Sequence, residues 1–308
     1  MSELKPEPVY FVDGCVIEHD FIYFAAKVKS VDPNEYDFSR MFYQDRENWI
    51  HHDLNWDVVS CCLLPERGEA RRKYCALSMQ GDVELDYPGG PDVEKIEGAG
   101  TYEGVGAVKQ IKEIAGTLYV CGDQGQVYKR SAPGKWVHMD EGLLDTNISA
   151  TALDLNGIDG THEHDIYVVG YHGRIFHRNA AGWSELDSPT NLHLERVCCV
   201  SAEEVYICGN EGTLLKGNAE GFSVHRLDGF KEHFWDVEWF NGKLYIASLV
   251  GLFVFDGEEI VAVETGLEPD IGGYRLDARD GVLWSFGVDD LAFYDGKKWH
   301  RVAHPDNQ

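Results

Sequence analysis

Short apolar runs alternate with turn-forming residues along most of the chain, and the alternation has a long period. Residues 118–128 contain an apolar run, a Gly-x-x-Gly turn and the start of a second apolar run. The pattern returns at 166–176 and 205–215, and in weaker form at 244–254 and 283–293. Runs rich in Val, Ile and Tyr that flank a glycine turn are typical of antiparallel hairpins. The sequence therefore predicts a β protein built from repeated hairpins.

The repeat is long enough to hold four strands. Each copy has an anchor aromatic in its first apolar run, and successive anchors are 48, 39, 39 and 39 residues apart: Tyr119, Tyr167, Tyr206, Tyr245 and Trp284. A third run begins about ten residues after the second glycine, at Trp136, Trp183, Phe222, Ile260 and Trp299. A fourth run precedes each anchor. Four short strands in roughly 40 residues are typical of one propeller blade.

The first third of the chain, residues 1–103, contains degenerate copies of the same unit. Residues 75–81 keep the spacing from anchor to second glycine, and residues 21–26, 41–43 and 48–50 match the remaining strands. With the regular repeats at 104–304, the count is seven units. The prediction is one all-β domain over 1–308, a seven-bladed β-propeller of four-stranded antiparallel blades, with six or eight blades as alternatives. We expect the ring to close by pairing of residues 8–12 with the last blade near 299–302.

One unit carries a family resemblance. Residues 165–178, followed by Trp183, resemble the bacterial propeller repeat D-[VI]-[WY]-x-V-G-x-x-G-x-[IL]-x-[HR]. That repeat occurs in photosystem II assembly-factor-like propellers and is related to the Asp-box repeats of sialidases. The turns at 131–136 and 179–183 lack the aspartate of an Asp-box, so no sialidase residue is carried over. The resemblance implies the propeller fold and does not assign an activity.

Charge narrows the range of partners. The chain has 53 Asp and Glu against 27 Lys and Arg, a formal net charge of -26. Binding to nucleic acid or to an anionic membrane is disfavoured, because both require clustered basic residues. The sequence also has no apolar run of membrane-spanning length and no secretion signal at its start. We expect a monomer whose acidic surface either serves solubility alone or attracts a basic protein partner.

The cysteines indicate a compartment. Eight are present without a Cys-x-x-Cys pair, so a structural zinc site is not expected. Most lie inside apolar runs such as 197–200, which is typical of buried thiols. Free thiols at this density favour a reducing compartment, and we expect the protein to be cytoplasmic.

Three polar segments are candidates for chemical sites. His162 and His164, beside carboxylates in 162–165, are a weak candidate for a metal site. The segment 51–53 (His-His-Asp) offers an imidazole–carboxylate pair for general base catalysis, and 65–73 is the one basic cluster. An ordinary solvated loop explains each of them equally well. No catalytic residue is assigned and no cofactor is expected.

Propeller geometry gives a more specific candidate for a binding surface. The turn between the second and third strands of a blade lies on the same face as the start of its inner strand. Ten residues are therefore expected around the mouth of the central channel: Lys109, Asp123, Gln124, Tyr171, His172, Arg196, Asn210, Glu211, Trp235 and Tyr274. Tyr, Trp and Arg are enriched at binding hot spots, which favours a partner-binding face. The alternative is that these side chains only pack against neighbouring blades.

Three functions remain open on this evidence. The first is a non-enzymatic protein-binding propeller, either an acidic stoichiometric inhibitor (an immunity protein that neutralises a basic toxin or effector domain) or an assembly chaperone or scaffold. The second is a carbohydrate-active enzyme with paired carboxylates in the channel. The third is a module that binds a small ligand in the channel. Because the sequence shows strong charge and no catalytic motif, the inhibitor is the favoured hypothesis.

Overall fold

Four-stranded antiparallel sheets make up nearly all regular structure in the computed structural model, which describes residues 6–32, 36–68, 70–144, 153–227 and 229–307. These residues form seven sheets, here called blades 1 to 7, each of four strands that are consecutive in the chain. The strands of blades 1 to 3 are β1 (Val9–Glu18), β2 (Phe21–Val28), β3 (Ser39–Asp45), β4 (Asn48–Leu54), β5 (Val58–Leu64), β6 (Lys73–Ser78), β7 (Asp82–Asp86), β8 (Asp92–Lys95), β9 (Val108–Ile114), β10 (Thr117–Gly122), β11 (Val127–Ala132) and β12 (Lys135–His138).

The other four blades follow the same order. Their strands are β13 (Leu155–His162), β14 (Asp165–Gly170), β15 (Ile175–Asn179), β16 (Gly182–Leu186), β17 (Leu194–Cys199), β18 (Val205–Gly209), β19 (Thr213–Asn218), β20 (Gly221–Arg226), β21 (Asp236–Phe240), β22 (Lys243–Ser248), β23 (Gly251–Phe255), β24 (Ile260–Ala262), β25 (Arg275–Arg279), β26 (Val282–Phe286), β27 (Leu291–Tyr294) and β28 (Trp299–Val302). Single 3-10 turns occur at Thr101–Glu103, Asp123–Gly125, Tyr171–Gly173 and Pro305–Asn307.

The blades form a closed ring around a central channel. The first strand of each blade lies beside the first strand of the next, and β25 of blade 7 lies beside β1 of blade 1. The predicted seven-bladed β-propeller is confirmed, including the degenerate strands in blades 1 and 2. The described residues contain no helix with the length and apolarity of a membrane span.

The prediction of how the ring closes is wrong. Residues 8–12 do not pair with β28, because β1 is the inner strand of blade 1 and pairs with β2. Blade 7 completes its own sheet with β28. The seam between blades 7 and 1 is held by other contacts: the Asn307 side chain bonds both the N–H and the C=O of Val9, at 2.8 and 3.1 Å.

The apolar side chains lie between the blades. The described chain has seven buried clusters, and each cluster joins two adjacent blades, so every blade interface has its own core. The anchor aromatics of the repeat are buried in the second strands, where they contact the neighbouring blade. A four-stranded sheet cannot cover both of its faces alone, so burial of these residues requires the complete ring.

The Gly-x-x-Gly turn has two different requirements. Gly170 is extended (φ -172°), and a Cβ on it would lie 1.9 Å from the Asp154 carbonyl oxygen of the linker entering the blade. Gly122 and Gly209 are crowded by linker carbonyls in the same way. The second glycine, such as Gly173 (φ +73°), does have a left-handed conformation. The first glycine is therefore needed because the linker passes so close to the second strand that a Cβ would collide with it.

Polar side chains of the inner strands link six of the seven interfaces in the described chain. Each accepts a hydrogen bond from a backbone N–H of the next inner strand: Asp13 from Cys61, Ser60 from Ile111, Gln110 from Ile158, Asp159 from Cys199, Asp236 from Leu276 and Asp277 from Val16. The distances are 2.6–3.3 Å. These bonds satisfy backbone donors that face the channel, where no strand partner exists.

Candidate functional site: the top face

One face of the ring, here called the top face, collects most connections between strands. It contains the turn between the second and third strands of each blade, the linkers between blades, and the chain ends at 6–8 and 303–307. The opposite bottom face contains the shorter hairpins within blades. The ten residues chosen from the sequence belong to the top face and to the channel beneath it, as expected from the strand order.

The two faces differ strongly in charge. Among described residues, the top-face connections hold 19 Asp and Glu against 3 Lys and Arg. The bottom-face connections hold 12 acidic and 6 basic residues, and the basic cluster of 65–73 lies there. Along the sequence, acidic and basic residues occur in a similar ratio in residues 1–103 and in the rest of the chain. The sequence therefore does not indicate this difference in charge between the two faces. The top face is therefore the stronger attractor of a basic partner.

Three of the predicted residues meet across blades 3 and 4. The Lys109 ammonium is 2.5 Å from the Asp123 carboxylate and 4.8 Å from the Tyr171 ring centroid. Asn156 accepts a further hydrogen bond from Lys109 at 3.1 Å. Tyr171 also stacks on His193 of the next linker, with centroids 4.2 Å apart. An ion pair, a cation–π contact and a stack thus fix these side chains in one orientation before any partner binds.

A second group lies across the mouth, between blades 6 and 7. The Trp235 and Tyr274 rings are 5.4 Å apart, and both are half-buried. The Arg275 guanidinium lies over the Tyr274 ring at 4.0 Å and donates to the Trp235 carbonyl oxygen at 3.2 Å. The sequence reasoning missed Arg275, although it directly follows Tyr274, because only the structure shows the side chain turning back onto that ring.

The two groups border a depression of about 290 Å3 at the top end of the channel, here called the mouth. Lys109, Asn156 and Tyr274 line its wall, and Arg196 and Arg275 lie deeper, where they also line the channel below. Arg196 is only 5% exposed and donates to the carbonyl oxygens of Asn156 and Glu195. Arg196 therefore forms part of the floor of the mouth and offers little surface to a partner.

The remaining predicted residues occupy the turns around the mouth. Gln124, His172 and Glu211 have the same left-handed conformation (φ 56°, 59° and 52°), and His172 and Glu211 are exposed. The Gln124 N–H donates to Asp154, whose carboxyl pKa is raised by burial and by the nearby Asp123 carboxylate. Asn210 is half-buried and its C=O accepts from the Thr213 N–H. These turns hold short polar side chains at fixed positions on the face.

The channel below the mouth is narrow and charged. Its cavity is about 90 Å3, well below the roughly 300 Å3 at which ligand pockets begin. Burial raises the pKa of the Glu238 and Asp277 carboxyls, with the nearby Lys112 opposing both shifts. Burial disfavours the charged Lys112, but Asp159, Glu238 and Asp277 outweigh it and raise that pKa. Asp277 also accepts a hydrogen bond from the Val16 N–H, so this carboxylate links two neighbouring inner strands.

The two histidines of the weak metal candidate lie together at one turn. His162 and His164 lie at the β13–β14 turn on the bottom face, where the His164 N–H donates to the His162 ring. Among described residues, no third His, Cys or carboxylate completes a site with them; the one such group is His52, Glu84 and Asp86. His52 lies 2.7 Å from Glu84, while the adjacent Asp53 pairs with Arg40. The predicted His–Asp pair in 51–53 is thus divided between two partners.

The structure defines a class: a propeller with an acidic top face and a preorganised, aromatic-lined mouth. No protein-family model matches the chain. The chain is 30% identical to "Immune protein Tsi7" of Pseudomonas aeruginosa over 312 residues, which covers 97% of this chain and 99% of that protein. The chain belongs to the family of this immune protein.

Solved structures show the same fold at much lower identity. YCF48 bound to a D1 peptide has a TM-score of 0.66 at 11% identity and covers 93% of this chain and 91% of its own. The WD40 β-propeller domain of Doa1 has a TM-score of 0.70 at 10% identity, with 99% and 96% covered. Because YCF48 is a photosystem II assembly factor, the resemblance to propellers of that kind is confirmed. Identities this low show the shared fold alone.

Proposed function

We propose that this protein is an immunity protein that binds a toxic effector protein in a one-to-one complex and neutralises it without catalysing a reaction. The observation that carries the proposal is the similarity to an immune protein over nearly the whole of both chains. A match of this extent includes every blade and the top-face connections. The acidic top face and its aromatic mouth supply a surface suited to a protein partner.

The charge pattern supports a basic effector. The excess of 16 acidic residues in the described top-face connections would attract a basic surface over a distance and speed its encounter. The net charge of -26 also supports a monomer, because two such molecules repel each other. The eight cysteines are free in the structure, which supports action in the reducing cytoplasm.

The test uses a candidate effector taken from the proteins encoded beside the gene of this protein. The effector is expressed in a sensitive host with or without this protein, and growth is measured. Purified effector and purified protein are then mixed, and the mass of the complex is determined by light scattering. We expect restored growth and a one-to-one complex. If growth stays inhibited in the presence of this protein and no complex forms, the proposal is contradicted.

Variants of the mouth connect the function to the site. Trp235→Ser with Tyr274→Ser removes two half-buried aromatic rings at the mouth, and we expect weaker protection and a higher Kd. The control is Val224→Ser with Val261→Ser, which changes two exposed apolar residues on fourth strands, away from the mouth. Equal protection by the two variant pairs, at equal melting temperature, would place the binding site elsewhere.

A further inference from the structure

Exposed apolar side chains are concentrated on the top face. The described chain has ten large hydrophobic residues that are exposed. Five lie in top-face connections, and a sixth, Tyr10, is the second residue of β1, at the top end of that strand: Tyr36, Tyr102, Leu249, Val250, Val288 and Tyr10. The other four, Ile50, Val93, Val224 and Val261, lie singly on four different fourth strands. None of the ten lies in a described bottom-face connection. Single exposed residues need no explanation, but grouped ones mark interaction sites.

Four of the six follow one another around the ring and are here called the apolar arc: Val288, Tyr10, Tyr36 and Tyr102. At one end, the Val288 carbonyl oxygen accepts from the Phe11 N–H at 2.8 Å, which joins blade 7 to the start of blade 1. The arc therefore has residues on both sides of the seam.

The other end of the arc reaches the linker into blade 3. The Tyr102 hydroxyl lies 3.4 Å from the carboxylate of Asp37, the residue after Tyr36. Tyr102 is 78% exposed and Tyr36 is 64% exposed, so both rings face solvent. Two exposed tyrosines from separate connections thus lie near each other on the top face. Tyrosine is enriched at protein interfaces, because its ring is apolar and its hydroxyl is polar.

A pocket opens in the middle of the arc and is here called the blade-1 pocket. Its volume is about 210 Å3, and its walls include Tyr10, Val31, Tyr36 and Phe38. A cavity of roughly 150 Å3 with apolar walls already accommodates a benzene ring. The blade-1 pocket is therefore large enough for one aromatic or branched aliphatic side chain.

The two lysines at this pocket are already neutralised. The Lys27 ammonium pairs with the Asp57 carboxylate and donates to the Phe38 carbonyl oxygen. The Lys29 ammonium is 2.6 Å from Asp289 and lies over the Tyr10 ring at 4.2 Å. Neither lysine makes the pocket a site for an anion. The electrostatic field around the pocket comes mainly from the excess of acidic residues on the top face. This field favours a partner that has Lys or Arg next to the side chain that enters the pocket.

From this placement we propose that the apolar arc anchors the effector: the blade-1 pocket takes one aromatic or branched aliphatic side chain from an effector segment that also carries Lys or Arg. The inference rests on the proposed function and names the part of the interface that resists dissociation. The acidic residues bring the partner in, and the apolar contact holds it.

The experiment compares two pairs of substitutions matched in number and exposure. Tyr36→Ser with Tyr102→Ser removes the arc tyrosines, while Ile50→Ser with Val93→Ser removes fourth-strand residues that are 62% and 58% exposed. Binding of the purified effector is followed by biolayer interferometry at low and high salt. We expect the arc pair to raise Kd about 30-fold or more through faster dissociation, and the control pair to stay within about threefold.

The outcomes separate this inference from the proposed function. If the unsubstituted protein does not bind the effector, the proposed function fails. If it binds and the arc pair behaves like the control pair, the function stands and the apolar arc is overturned as the anchor. If the arc pair lowers the melting temperature, a second variant, Val31→Trp, replaces it in the test. Val31 lines the blade-1 pocket, so a larger side chain there fills the pocket while both tyrosines stay in place. The same acceleration of dissociation is expected, and its absence would also overturn the inference.

Discussion

At the scale of single residues, His304 beside the seam is a titratable group enclosed by aromatic rings. Its ring lies within 4.5–6.0 Å of the rings of Phe42, Trp49, Phe11 and Phe24. The Asp306 N–H donates to Nδ1 at 3.2 Å, so the neutral ring carries its proton on Nε2, which has no partner. A second proton on Nδ1 would break that hydrogen bond and place a charge among aromatic rings.

This environment predicts a pH dependence of stability. Burial lowers the pKa of His304 to about 4, with Asp306 opposing the shift and His51 adding to it. The unfolded chain takes up the proton near pH 6.5, so the contribution of neutral His304 is complete above that pH and is lost as the pH falls toward 4. The difference between the two pKa values corresponds to about 3 kcal/mol.

His304→Phe is expected to remove this part of the acid sensitivity. The free energy of unfolding of the variant and of the unsubstituted protein is measured in urea at pH 7, 5.5 and 4. As the pH falls from 7 to 4, the difference in unfolding free energy should shift by about 3 kcal/mol in favour of the variant. His19→Gln, which changes an exposed histidine outside this cluster, serves as the control. Parallel curves for the His304 variant would show that this ring does not contribute to the pH dependence.

At the scale of structural elements, the glycine turns determine whether a blade can form. Gly170→Ala keeps an allowed extended backbone but brings a Cβ to 1.9 Å from the Asp154 carbonyl oxygen, so the linker must move. We expect a loss of at least about 3 kcal/mol of unfolding free energy. Gly281→Ala, where φ is +78° and no atom lies within 4 Å of the Cβ, should cost about 1 kcal/mol.

The free energy of unfolding of both variants is measured in urea. Gly170→Ala reports the cost of the collision with the linker, and Gly281→Ala reports the cost of a left-handed backbone at a residue other than glycine. Equal costs would mean that the linker yields to the added Cβ, and that its close approach does not explain the glycine at position 170. The comparison also shows what the sequence can predict. The spacing of the glycines and anchors predicted blades 2 to 7, and strand-like runs at 21–26, 41–43 and 48–50 predicted blade 1, because period and turn chemistry are local properties. The close approach of a linker some 16 residues earlier is not local, so the role of Gly170 required the structure.

The candidate site shows the same limit. The strand order alone placed Lys109, Tyr171, Trp235 and Tyr274 around one mouth, because the ends of strands follow from their sequence. Arg196 was expected on the face and instead forms the floor, since its side chain turns inward to backbone carbonyls. Side-chain direction depends on the neighbouring blade, and one blade's sequence does not contain that information.

At the scale of the whole molecule, the asymmetry of charge predicts how binding rates respond to substitution. Glu264→Lys with Glu268→Lys changes two exposed top-face residues, and Glu258→Lys with Glu259→Lys changes two exposed bottom-face residues. Both pairs change the net charge equally. The top-face pair should slow association with a basic effector about fivefold at low salt, and the bottom-face pair less than about twofold.

Stopped-flow association rates at several salt concentrations check this prediction. The difference between the two pairs should shrink as salt rises, because screening shortens the range of the field. Equal slowing by both pairs would mean that only total charge matters. A slowing confined to the bottom-face pair would place the effector on the opposite face.

The seam between blades 7 and 1 also determines how the ring responds to a mechanical load. Because no strand is shared there, tension between the two chain ends acts first on the Asn307 side chain and the Val9 backbone. Those two hydrogen bonds can break one after the other. The hydrogen bonds along a shared strand would instead have to break together, because the load would act along the whole strand. A single-molecule pulling trace should therefore begin with release of the Asn307–Val9 contact at low force, before the core between blades 7 and 1 opens or any blade unravels.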